Sequence, residues 1–135
     1  MTPAALTALM QQGLRLTADW GIEVLSAADG RAVLRLPPNP ALWRPGPTLS
    51  GPALMGLADV AIWAAVMASG AQEADALTAN LSIHFLRPAG TAAVLAEARL
   101  VREGRRSVYA EVWLRAEHDE RPCAHVTSGW LRTGS

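Results

Sequence analysis

Residues 51–70 read GPALMGLADVAIWAAVMASG, a run with a single charge, Asp59, and apolar side chains on every side of a helical wheel. A helix of this kind has no face suited to water and must be buried. At about 1.5 Å per residue it is close to 30 Å long, which is also the span of a bilayer core. Three features favour a protein core: much of the apolarity comes from Ala and Gly, a carboxylate sits near the middle, and the residues that follow supply sheet to cover the helix. Pro52 suits a first helical residue, and Ser50 is of the type that caps a helix start.

Downstream of this segment the period changes to two. Leu77, Ala79, Leu81, Ile83 and Phe85 alternate in one stretch, Val94, Ala96, Ala98 and Leu100 in the next, and Val108, Ala110, Val112 and Leu114 in a third. A less regular CAHVTSGWL closes the series, and four such strands in succession predict an antiparallel meander. Upstream, Ile22, Val24, Ala32, Leu34 and Leu36 flank Asp29-Gly30, a hairpin-turn pair, which predicts two short strands between Gly21 and Leu36. The run PPNPALWRPGP from Pro37 to Pro47 carries five prolines and is read as a loop. Leu6, Leu9, Met10, Leu14 and Leu16 predict one short amphipathic helix from Pro3 to about Thr17. The expected class is α+β, one curved antiparallel sheet wrapped around one long buried helix, in a single domain over residues 1–135.

Twelve basic residues balance twelve acidic ones, so nothing in the charge points to nucleic acid or an anionic membrane. Every basic residue is Arg, which excludes Lys-based Schiff-base or amine-nucleophile chemistry. The lone Cys123 excludes an internal disulfide and a sulfur-rich zinc site, and His84, His118 and His125 lack metal-ligand spacing, so no metal is expected. MTPAALTALMQQGLRL has no basic n-region and is not expected to be a signal peptide. A soluble cytoplasmic protein is expected.

SGPALMGLADVAIWAAV and TANLSIHFLRPAG, in this order and spacing, resemble motifs of the hotdog-fold acyl-CoA thioesterases. The likeness is to the phenylacetate-pathway type and its hydroxybenzoyl-CoA relatives, and it covers nearly the whole chain. It implies a hotdog fold and hydrolysis of an acyl-CoA thioester, with coenzyme A part of the substrate and no separate cofactor. Asp59 matches the family's catalytic carboxylate, a general base for water or a nucleophile. Gly51 matches the glycine whose N–H polarises the thioester carbonyl, and the unpaired donors of a helix start suit an oxyanion there. Ser50 and Pro52 stand where the family has His and a second Gly, so one side-chain donor is changed and one N–H is missing. Ser50 either caps the helix or touches substrate.

Thr78 stands where relatives place a hydroxyl that positions water, and strict alternation puts Asn80 on the same strand face, either lining the helix side or facing solvent. Trp63, one turn beyond Asp59, is a candidate wall of an acyl pocket. Arg87, Arg102, Arg105 and Arg106 are candidates for the CoA phosphates, because a guanidinium donates to phosphate with two parallel bonds; the bland alternative is a solvated turn.

Gly51 and Asp59 are eight positions apart, an axial distance of about 12 Å, too far for both to act on one carbonyl from a single helix. Two antiparallel copies across a two-fold axis bring Gly51 of one chain to Asp59 of the other, so a homodimer or homotetramer is expected, with acyl-CoA as the other partner. Two further functions stay open: a non-catalytic acyl-ligand binding protein, and an enoyl-CoA hydratase, disfavoured because no His follows Asp59 in its helix.

Overall fold

Ser50 opens the central helix. Its backbone is extended, its hydroxyl accepts a hydrogen bond from the Ala53 N–H at 3.3 Å, and Pro52 occupies the first turn. The helix α3 then runs Gly51–Met67 in the computed structural model, which describes residues 1–69 and 76–132. The expected end at Gly70 lies outside the described residues. Two short helices, α1 (Pro3–Gly13) and α2 (Arg15–Trp20), and eight strands complete the order. The strands are β1 (Glu23–Ala28), β2 (Arg31–Leu36), β3 (Trp43–Arg44), β4 (Thr48–Leu49), β5 (Leu77–Phe85), β6 (Val94–Glu103), β7 (Ser107–Ala116) and β8 (Ala124–Leu131).

Six of these strands form one antiparallel sheet in the order β1-β2-β6-β7-β8-β5, against which α3 packs, mainly on β2, β6 and β7. The register lines up rows of apolar side chains beneath the helix. Leu34, Ala96, Leu114 and Ala124 form one row, and Ala32, Ala98, Val112 and Val126 the next, all buried. The helix answers with Ala58, Ala61, Ala64 and Ala65, fully buried, so small side chains on both sides let the layers approach closely around Leu57 and Ile62. Asp29 and Gly30 both have positive φ, 54° and 72°, as the predicted two-residue hairpin turn requires.

Three expectations are corrected. The four long strands are not a simple meander: β6, β7 and β8 follow one another, but β5 lies beside β8 at the sheet edge and β2 takes the place beside β6. Periodicity reports that a strand exists and not which strand it pairs with. The predicted single N-terminal helix is two, because Leu14 is extended and the buried Thr17 hydroxyl donates to the Leu14 and Met10 carbonyls at 2.6 and 3.2 Å, which stabilises the break. The proline-rich loop contains a short 3₁₀ turn at Pro40–Leu42 and the small β3–β4 hairpin.

The burial of α3 is also incomplete. Gly51, Pro52, Met55, Gly56, Asp59 and Trp63 are the residues that keep some exposure, and their spacing of three and four gathers them on one stripe. At Gly56 a side chain would strike the Trp20 ring at 3.0 Å, so glycine there lets α2 lie across the helix. Among the described residues no helix is long and apolar enough to cross a membrane.

Candidate active site

Asp59 lies on the uncovered stripe, partly buried. Thr78 Oγ1 donates to Asp59 Oδ1 at 2.7 Å, a charge-assisted bond between the helix and the edge strand. Burial raises the Asp59 carboxyl above its ordinary value, and the Thr78 hydroxyl pulls the other way by bonding the charged form. Asp59 Oδ2 accepts no hydrogen bond from the described residues.

A β-bulge is what aims Thr78. Thr78 pairs with the buried Trp130, whereas Asn80 pairs with Gly129, so Ala79 is the extra residue. Beyond the bulge Leu81, Ile83 and Phe85 pair with Ser128, Val126 and Ala124 on the inner face. Thr78 and Leu81, three residues apart, therefore both face the helix side, which regular alternation forbids. The expectation that Thr78 and Asn80 share a face is overturned: Asn80 turns outward, its Oδ1 accepting from the Gly129 N–H at 3.1 Å, while Ser128 Oγ donates to the Asn80 carbonyl at 2.6 Å. Asn80 holds the bulge and does not reach Asp59.

Asp59 opens on a cleft of about 300 Å³ walled by Leu9, Met10, Gly13, Leu14, Val60, Trp63 and Trp130. Trp63, the candidate wall of an acyl pocket, lines this cleft. The contribution of α1 was not foreseen; its trace in the sequence is an excess of leucine, since Leu6 and Met10 already fill the buried face while Leu9 and Leu14 stay 38 % and 49 % exposed.

Gly51 belongs to a different cleft, of about 380 Å³, with Arg44, Leu54, Phe85 and Arg87. Among the described residues its N–H is the donor left over at the helix start. The Ser50 N–H donates to the Leu42 carbonyl at 3.0 Å, the Ala53 N–H to the Ser50 hydroxyl, and Pro52 has none. Ser50 therefore caps the helix, the first of the two roles considered for it. The four arginines fall in two groups. Arg87 sits beyond Phe85 near Gly51 and donates to the Pro122 carbonyl. Arg102, Arg105 and Arg106 lie around the β6–β7 turn, at the end of the sheet where β5 begins, a strand length of about 30 Å away.

The histidines and the thiol play other parts. His125 stacks on Trp113 with ring centroids 3.9 Å apart and meets Glu111 at 3.2 Å on the outer sheet face. Burial pushes the Cys123 thiol up to about 11, which makes it a packing residue and a poor nucleophile. Among the described residues no group of three or more His, Cys, Asp or Glu is placed to hold a metal.

Comparison with known proteins bears on this arrangement. Residues 46–123 match the model of the Thioesterase superfamily. A Thermoplasma acidophilum protein, Ta0293, provisionally named an esterase, is 30% identical over 90 residues, 67% of each chain. A point mutant of the phenylacetic acid degradation protein PaaI from Thermus thermophilus is 26% identical, with a TM-score of 0.78 over 88% of this chain and 99% of that one. Zebrafish thioesterase superfamily member 2, at 21% identity, shares the fold with a TM-score of 0.87 over 98% and 99% of the two chains.

Proposed function

The chain belongs to the thioesterase superfamily and has its hotdog fold, and from that premise we propose that it hydrolyses an acyl-CoA thioester to the free acid and CoA. The observation that carries the reading is the Thr78-supported carboxylate of Asp59 at the head of an apolar cleft. Asp59 takes a proton from water or attacks the thioester carbonyl through Oδ2, and Thr78 holds the other oxygen. Partial desolvation makes the carboxylate a stronger base than an exposed one. The acyl group occupies the cleft against Trp63. The Gly51 N–H stabilises the oxyanion, and Arg87, Arg102, Arg105 and Arg106 meet the CoA phosphates.

One chain cannot assemble this site. Gly51 and Asp59 open on separate clefts, yet both lie on the stripe of α3 that the chain's own sheet leaves uncovered, beside a β5 edge that exposes Leu77 and Phe85. A second copy packed antiparallel on this stripe brings Gly51 and Arg87 of one chain to Asp59 and the β6–β7 arginines of the other. Sedimentation equilibrium at micromolar concentration should give at least twice the 14.3 kDa chain mass; a stable, active monomer would rule out the shared site.

The direct test is release of free thiol from a panel of acyl-CoAs by the purified protein. Turnover of none, with binding retained, would favour the non-catalytic alternative. Thr78→Val supplies a finer check. Because kcat/KM rises as Asp59 loses its proton, and the Thr78 hydroxyl favours the charged form, its removal should move the acid limb of the pH profile to higher pH. An unmoved limb would mean that Asp59 is not the titrating group.

A further inference from the structure

Gly13 is the last residue of α1 and lines the Asp59 cleft. Nothing in the backbone calls for glycine there. The described glycines with positive φ are Gly21, Gly30, Gly46 and Gly90, and the residue that breaks the helix is Leu14, which is extended. Nothing in the packing calls for it either, since a Cβ at this position would meet no atom within 4 Å. Glycine in a helix is disfavoured relative to alanine because it has more freedom to lose. Leu9 and Met10, four and three residues earlier, lie on the same helical face and contribute side chains to the cleft wall. A side chain at position 13 would extend that wall into the open space opposite Asp59, Trp63 and Trp130.

We propose that Gly13 determines acyl-chain specificity: its missing side chain keeps the cleft open along its α1 wall and admits acyl groups longer than a short chain. The proposal rests on the thioesterase reading, in which the acyl group fills this cleft. Apart from Asp59 the walls are aliphatic, thioether and indole side chains, so the space Gly13 leaves is suited to methylene groups.

The test is a ladder of saturated acyl-CoAs, from acetyl to dodecanoyl, assayed by thiol release with wild type, Gly13→Ala and Gly13→Leu. In Gly13→Leu, kcat/KM for the longest substrates that wild type accepts should fall at least about tenfold, the scale of discrimination by fit in an apolar pocket, while the shortest change by less than about threefold. Gly13→Ala should show the same ordering at smaller size and melt no lower than wild type, which keeps the test open if the leucine variant folds poorly. A uniform fall along the ladder, or an unchanged length profile in both variants, would overturn the proposal with the thioesterase reading left standing. Wild-type protein that turns over no acyl-CoA would remove that reading and the proposal together.

Discussion

Asp59→Asn should lower thiol release from the best acyl-CoA at least about a hundredfold, the lower end of what a general base contributes. Asparagine keeps the size of the side chain and an oxygen that can accept the Thr78 hydroxyl, so the geometry of the cleft and the binding of substrate should change little. What is lost is the capacity to take a proton or to attack a carbonyl. The fold itself should gain. Burial raises the Asp59 carboxyl in the folded chain, so this group's contribution to stability is complete below its unfolded pKa and is lost as pH rises through the folded value. The variant should therefore melt above wild type at pH 8, with the gap closing in acid. Activity within a factor of about three of wild type would make Asp59 a structural carboxylate and end the proposed mechanism.

Leu57→Ala should destabilise the protein by about 2–5 kcal/mol, measured by chemical denaturation at unchanged m-value. Leu57 is fully buried at the centre of α3, where its neighbours on the helix include Ala58 and Ala61. Alanines have no side-chain length with which to fill the space left behind, and closing it would require the helix and sheet backbones to move. Against a total stability of about 5–15 kcal/mol for a domain of ordinary size, this is a large fraction. Leu14→Ala, at a half-exposed position in the helix break, should stay within about 0.5 kcal/mol. A loss below about 1 kcal/mol at position 57 would show that packing at this point of α3 does little to hold the layers together.

The sequence by itself determined the elements whose signals are local. The apolar run after Ser50 reads as a largely buried helix, because little of its surface suits water; Asp29-Gly30 can take the positive φ of a hairpin turn; and the alternation from Leu77 onward marks strands. Asp59 stood out for the same reason, as the single charge in that run, and its distance from Gly51 followed from helical rise alone.

What only the tertiary structure decided depends on contacts between residues far apart in the chain. The place of β5 beside β8 is one such contact, since period two identifies a strand without naming its neighbour. The bulge at Ala79 is another: it exists because Asn80 bonds across to Gly129 and Ser128, 49 and 48 residues away, and no pattern within TANLSIHF announces it. Yet the bulge turns Thr78 toward Asp59 and Asn80 away from it. The cleft follows the same logic, because it joins Leu9 and Gly13 of α1 to Trp63 of α3 and Trp130 of β8, residues that no local pattern relates. Local propensity sets what each segment becomes, and side-chain pairing across the sheet and between layers sets what it faces.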